Sequence, residues 1–167
     1  MPFSKKKDFS GMDRSEILES AKARIYRSAA ASEQSTLRVR RKLEGAGYPI
    51  DVIDEALQHA VSIGVIDDVR YSECLIRSTV ASGKGLSKAA REIESLAIDI
   101  ESLEAYREYR DRGEDAEIED AIQILRRHPS KAKDQYGSSF RKLVSKGFPA
   151  QVASAATRRY FEMMKDR

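Results

Sequence analysis

Two strings decide the fold of this chain: Leu43-Glu44-Gly45-Ala46-Gly47-Tyr48-Pro49 and Leu143-Val144-Ser145-Lys146-Gly147-Phe148-Pro149. They carry leucine, glycine, an aromatic ring and proline at the same four places. In each, a helical leucine is followed four residues on by a glycine, the residue that supplies the positive φ that commonly ends a helix. The ring can pack back over that end. Proline stands where the next helix starts, since its missing N–H is not needed there.

The pattern extends in both directions at a period of 50 residues. Leu43, Ile93 and Leu143 fall in register, as do Tyr48, Ile98 and Phe148, Ile25, Leu75 and Leu125, and the basic positions Arg27, Arg77 and Arg127. A fixed period of this size marks a repeat architecture, in which each unit buries its apolar face mainly against its neighbours. The expectation is an all-α protein of three tandem three-helix repeats, spanning residues 13–64, 65–112 and 113–167, in an elongated, right-handed or solenoid-like stack. Residues 1–12 are expected to form a flexible tail.

The first repeat reads as a helix from about Ser15 to Ala31, capped by Asp13 or Ser15, with Ile17, Leu18, Ala21, Ile25 and Ala29 at helical spacing. A second helix runs from near Ser35 to Glu44 with Leu37 and Leu43 inward. A third carries Val52, Ile53, Ala56, Leu57, Ala60 and Val61 as an apolar stripe. In the second repeat, Asp67-Asp68 suit a helix N-terminus, and Tyr71, Cys74, Leu75 and Ser78 are expected to face inward. Gly83-Lys84-Gly85 breaks the chain, a helix from about Leu86 to Leu96 follows, and Ala97 stands where the other repeats have glycine. Asp99 is expected to cap the next helix, which carries Ile100, Leu103 and Tyr106. The third repeat opens at Glu114-Asp115 with Ile118, Ala121, Ile122 and Leu125, and Pro129 ends that helix. A helix with Tyr136, Phe140, Leu143 and Val144 follows, then one with Val152, Ala153, Ala156 and Tyr160.

Composition excludes several classes. The 41% apolar and 34% charged content suits a soluble chain with a thin core. Cys74 is the only cysteine, so no intramolecular disulfide can form. No apolar run approaches the roughly 18 to 20 residues needed to span a bilayer. Lys5-Lys6-Lys7 is not followed by the apolar stretch of a secretory signal. A cytoplasmic monomer without membrane association is expected.

The net charge of +3 conceals strong segregation. Residues 1–91 hold 16 basic against 12 acidic side chains, residues 92–120 hold 3 against 12, and residues 121–167 hold 11 against 3. An acidic middle between two basic arms shapes the long-range field and the choice of partner.

No catalytic, cofactor or metal constellation stands out. His59 and His128 are far apart and lack Cys or His neighbours at ligand spacing. Cys74 reads as a small apolar group in a helix interface. Gly83-Lys84-Gly85-Leu86-Ser87-Lys88 lacks the Gly-x4-Gly-Lys-Ser/Thr order of a phosphate loop. Asp67-Asp68 and Glu117-Glu119-Asp120 read as a helix cap and a solvated face rather than metal ligands.

The basic residues are the better functional signal. Arg38, Arg40, Arg41 and Lys42 lie within two turns; Arg77, Lys84, Lys88 and Arg91 follow in the second repeat, and Arg141, Lys142 and Lys146 in the third. Stacked repeats could align these sets into a stripe that meets phosphates or an acidic protein surface. The competing reading is that basic groups near helix C-termini complement the dipole and keep the surface soluble. No run of exposed aromatics accompanies them, which argues against a base-stacking platform.

The string Val65-Ile66-Asp67-Asp68-Val69-Arg70-Tyr71-Ser72-Glu73-Cys74-Leu75-Ile76-Arg77-Ser78, followed by Gly83-Lys84-Gly85, resembles the central signature of the RecX family. Leu43-x3-Gly47-Tyr48 and Phe140-Arg141-Lys142-Leu143-x3-Gly147-Phe148 match the same family in the same order, and the resemblance covers about residues 15 to 164. It implies a bacterial cytoplasmic regulator of the recombinase RecA, built of tandem three-helix repeats in a curved, elongated shape. Such a protein acts on the RecA–DNA filament and modulates ATP hydrolysis, strand exchange and coprotease activity, and thereby recombination, DNA repair and the SOS response. The resemblance supplies no catalytic residues and no cofactor. The basic sets are the candidates for touching filament or DNA, and the acidic middle for facing basic RecA surface. Two departures stand out: Ser87-Lys88-Ala89-Ala90-Arg91-Glu92-Ile93 is weakly basic, and the Ala97 junction lacks glycine. A sequence-nonspecific DNA-binding helical-repeat protein is the alternative, and a pure protein scaffold a third reading.

Overall fold

The computed structural model describes residues 8–165; the Lys5-Lys6-Lys7 run lies outside them. Among the described residues the chain is all-helical. The helices are α1 (Arg14–Ala31), α2 (Thr36–Gly45), α3 (Ile50–Ser62), α4 (Asp68–Ala81), α5 (Ser87–Glu94), α6 (Glu104–Asp111), α7 (Glu114–Arg127), α8 (Gln135–Ser145) and α9 (Ala150–Lys165), with a 3-10 turn at Ile100–Ser102 before α6. The chain forms two compact units that divide between Tyr71 and Ser72.

In the first unit, α1 starts with a capping box. The Glu16 N–H donates to Asp13 Oδ1 at 2.8 Å, and the Asp13 N–H donates back to Glu16 Oε2 at 2.9 Å. Leu18, Ala21 and Ile25 of α1 meet Val39 and Leu43 of α2 and Val52, Ile53, Ala56, Leu57 and Ala60 of α3 in one buried cluster. Those α3 residues follow 3.6-residue spacing, and Val61 lies one position past the edge of the stripe. It is exposed, contrary to the sequence expectation. Gly47, at φ +86°, ends α2 and turns Tyr48 back so that its N–H donates to the Leu43 carbonyl. The Tyr48 ring is buried there, with its hydroxyl 2.9 Å from Ser20 Oγ and the Phe9 ring at 4.8 Å. Asp67 and Asp68 cap two different helices. Asp67 accepts the Arg70 N–H of α4, whereas Asp68 accepts both the N–H and the hydroxyl of Thr36 in the first turn of α2.

The second unit holds two buried clusters. One gathers Ile76, Leu86, Ala89, Ile93, Leu103 and Ala105. The other gathers Ile118, Ala121, Ile122 and Leu125 of α7, Leu143, Phe148, and Val152, Ala153, Ala156 and Tyr160 of α9. The inward stripe of α4 runs through Ser72, Leu75, Ile76, Thr79 and Val80, so Cys74 and Ser78 fall on its outer side. Both are exposed, which corrects the inward placement and the interface role read for Cys74. Tyr136 and Val144 of α8 are exposed as well; Leu143 is the fully buried apolar residue of that helix.

The second repeat departs from its neighbours after α5. Ala97 takes φ +56°, the single non-glycine residue with positive φ among those described, at the place of Gly47 and of Gly147 at φ +95°. Asp99 caps only the 3-10 turn, through the Glu101 N–H. The helix proper, α6, begins at Glu104, and its cap comes from α4: Glu73 accepts the Glu104 and Ala105 N–H groups at 2.8 and 2.9 Å.

Candidate nucleic-acid interface

The basic residues divide by what they already hold. On α2, Arg40 pairs with Asp54 at 2.5 Å, and the Arg38 guanidinium lies 5.2 Å from the centre of the Tyr71 ring. Lys42 Nζ donates to Ser28 Oγ and to Gln34 Oε1, at the C-terminal end of α1. Its counterpart Lys142 donates to the His128 carbonyl at the end of α7, at 2.5 Å. The two lysines, one hundred residues apart, both place their charge near a helix C-terminus, where it is favoured, but only Lys142 satisfies a backbone carbonyl there. Arg77 is ringed by Glu73, Glu104 and Glu108 at 3.2, 3.5 and 3.7 Å, which ties α4 to α6. Arg91 donates to the Ser87 carbonyl of its own helix, and Arg141 lies 3.5 Å from Asp134.

Arg41, Lys84, Lys88 and Lys146 remain. All four are exposed, and none has a side-chain partner among the described residues. In the second unit the backbone brings three of them to one neighbourhood. A Cβ built on Gly85 would stand 2.3 Å from the Gly147 carbonyl oxygen, and one built on Gly147 would stand 2.5 Å from the Gly85 carbonyl oxygen. The two glycines therefore cross in direct backbone contact, closed by the Ser87 N–H donating to the Gly147 carbonyl at 3.0 Å. Lys84 adjoins one glycine and Lys146 the other, and Lys88 lies in the first turn of α5, which no side chain caps. Uncompensated cations beside the positive end of a helix make a place where phosphate oxygens are favoured.

Gly83 and Gly85 have separate duties around Lys84. Gly83, at φ +64°, ends α4, with its N–H on the Val80 carbonyl and the Lys84 N–H on that of Thr79. Gly85 is required by close approach. The sequence gives the glycines but not the crossing, because the period of 50 pairs Gly85 with Gln135 and not with Gly147.

Beside the crossing lies a cleft of about 370 Å³, with Leu86 and Val152 at its apolar base, Tyr106 and Tyr109 along one wall and Glu114 and Glu117 at the rim. The Tyr109 hydroxyl is buried with no hydrogen-bond partner among the described residues. Burial first, and the nearby Glu117 carboxylate second, push its pKa far above the ordinary phenol range. The acidic segment is partly consumed internally: Glu101 pairs with Arg110, Asp120 with Arg112, and Asp115 with Arg159. Among the described residues no three His, Cys, Asp or Glu side chains gather to hold a metal, and no helix is long and apolar enough to cross a membrane.

No family model and no curated protein matches the chain. Solved structures do. The crystal structure of RecX from Lactobacillus salivarius matches with a TM-score of 0.58 at 15% identity, over 87% of this chain and 97% of its own. A crystal structure of regulatory protein RecX matches with a TM-score of 0.60 at 16% identity, over 100% of this chain and 83% of its own. All-helical among the described residues, the chain has the fold of these RecX structures over most of its length.

Proposed function

We propose that the chain is a RecX-family regulator, without catalytic activity of its own, that binds a RecA–DNA filament in the cytoplasm and restrains its ATP hydrolysis, strand exchange and coprotease activity. The observation that carries this reading is the likeness to the RecX fold over most of the chain. The signature from Val65 to Ser78 with Gly83-Lys84-Gly85 supports it, because Asp67, Asp68, Glu73, Gly83 and Gly85 each have a definite structural duty in this fold. Lys84, Lys88 and Lys146 are the favoured contacts to the DNA phosphates of the filament, with Arg41 a further exposed cation in the first repeat. Arg40, Lys42, Arg77 and Lys142 hold the fold first.

The test is DNA-dependent ATP hydrolysis by the cognate recombinase, measured with protein well below the amount needed to coat the DNA. Inhibition at that ratio supports the reading, and unchanged hydrolysis and strand exchange at saturating protein sink it. The alternative, a sequence-nonspecific DNA binder, draws on the same exposed lysines. It requires tight binding to bare DNA with a steep salt slope and inhibition explained wholly by competition for DNA. Salt titration of binding with and without recombinase separates the two.

A further inference from the structure

The first repeat carries a groove of about 580 Å³ between α2 and α3, lined by Thr36, Arg40, Gln58 and Val61 among others. One hundred residues on, the same four places hold Tyr136, Phe140, Arg158 and Phe161. Three places that are polar or aliphatic in the first repeat are therefore aromatic in the third, and a fourth is an arginine. Tyr136 is 47% exposed, and its ring centre lies 5.5 Å from that of Phe161, with the planes inclined at 39°. Tyr160 meets Phe161 edge-on from the core side at 5.2 Å and fixes that ring. Phe140 shares the α8 face with Tyr136 at i, i+4 spacing, and is half-buried.

Cations flank this aromatic face. Arg158 stands one turn before Phe161 on α9, and Lys133 three residues before Tyr136; both are exposed and have no partner among the described residues. Two carboxylates lie close by in sequence: Asp134, which accepts the Gly137 N–H as the helix cap and lies 3.5 Å from Arg141, and the exposed Glu162, one turn after Arg158 on α9, which makes no ion pair with it among the described residues. An exposed aromatic ring beside unneutralised cations matches a chain that alternates flat bases with phosphates. An acidic protein segment would use the cations but has no need of the open ring.

We infer that the α8–α9 face of the third repeat is a stacking platform for unpaired bases, with Tyr136 and Phe161 taking a base and Arg158 and Lys133 its flanking phosphates. The inference rests on the DNA-contacting part of the function proposed above and adds a preference for single-stranded over duplex nucleic acid.

The chain contains no tryptophan, so Tyr136→Trp introduces a single reporter at the platform. With the full chain, oligo(dT) is expected to quench that fluorophore and to bind at least as tightly as it does to the wild type, while a duplex of equal length leaves the emission unchanged. Tyr136→Leu keeps an apolar side chain beside Phe161 and removes the ring; it is expected to weaken oligo(dT) binding about tenfold, with duplex affinity unaltered. Arg158→Gln is expected to weaken both and to lower the salt slope by about one. Equal oligo(dT) affinity for Tyr136→Leu and wild type overturns the platform. So does an equal loss toward duplex, or quenching by oligo-glutamate as strong as by oligo(dT), the latter assigning the face to an acidic protein. Recombinase inhibition is read separately. If it persists with the platform refuted, the regulatory reading stands alone; if it is absent while Tyr136→Leu loses oligo(dT), the platform stands without it.

Discussion

Ala97 is the residue at which the repeat and the backbone disagree. It ends α5 at φ +56°, its N–H donating to the Glu94 carbonyl at 2.9 Å, at the place where the other two repeats have glycine. A side chain with a Cβ in the left-handed region costs about 1–2 kcal/mol relative to the right-handed one. Ala97→Gly removes that strain and adds about 0.5–1 kcal/mol of unfolded-chain entropy in its place. The net expectation is a gain of about 0.5–1 kcal/mol, since the Ala97 methyl is exposed and no packing is lost with it. For a chain of this length that is a rise of roughly 1–4 °C in Tm. Guanidinium unfolding followed by far-ultraviolet circular dichroism reads it as a higher midpoint at unchanged slope. The reverse substitution, Gly47→Ala, should cost about as much. Gly147→Ala should cost more, because its Cβ also meets the Gly85 carbonyl oxygen at 2.5 Å. If Ala97→Gly is neutral or destabilising while Gly47→Ala is harmless, the junctions are not held in the left-handed conformation, and the explanation of the 50-residue register fails with them.

The crossing is tested by Gly85→Ala, whose methyl must displace the Gly147 backbone; a loss of about 1–3 kcal/mol is expected in the same unfolding measurement, and an unchanged midpoint would deny the contact. Lys142→Met should lower stability by about 0.5–1 kcal/mol through the lost bond to the His128 carbonyl, with little effect on the salt dependence of DNA binding. The combined Lys84→Gln, Lys88→Gln and Lys146→Gln variant should do the opposite, keeping Tm and lowering the slope of log affinity against log salt by close to one per lysine. Tyr109→Phe removes a buried hydroxyl without a partner and should be neutral to stabilising by about 1 kcal/mol at neutral pH. Its folded-state pKa is raised, so above pH 10 the unfolded tyrosine loses its proton while the folded one keeps it. Wild-type stability should therefore fall as pH rises through that range, and part of the fall should vanish in the variant, as measured by denaturant midpoints from pH 9 to 11.

How much of this was legible in the sequence depends on the physics behind each feature. The core of α3 and α9 was, because a wide apolar stripe at 3.6-residue spacing admits one inward face: Val52, Ile53, Ala56, Leu57 and Ala60 recur as Val152, Ala153, Ala156, Thr157 and Tyr160. The cap of α1 was legible only as Asp13 or Ser15; the structure decides for Asp13, through its capping box with Glu16. The inner face of α4 was not. Cysteine and serine are small enough for either side, and only the contacts of Ile76 and Leu75 decide the rotation of the helix. The basic sets were legible as sets but not as roles. A lysine side chain spans several ångströms, and whether Lys42 and Lys84 meet a neighbour or solvent depends on what lies within that reach. The aromatic face escaped because Tyr136 and Phe161 are 25 residues apart and form no run in the chain.

The crossing also bears on which cations a polyanion would use. Binding a phosphate costs the ordering of the side chain that holds it, and of the backbone beneath where that backbone is free. Lys84 lies between a glycine fixed by its helix-ending conformation and one fixed by contact with Gly147, so its backbone is determined on both sides. Lys146 sits at the end of α8, with its N–H on the Lys142 and Leu143 carbonyls, and Lys88 lies within a helix. Each of the three has lost its backbone freedom to folding and retains only side-chain rotamers to order on binding. Lys142 has spent its charge on His128, and Arg77 has spent its charge on three carboxylates; recruiting either would first break bonds the fold uses. A near-neutral chain can therefore hold a polyanion with few cations, provided they stand on fixed backbone and are left uncompensated, as Lys84, Lys88 and Lys146 are.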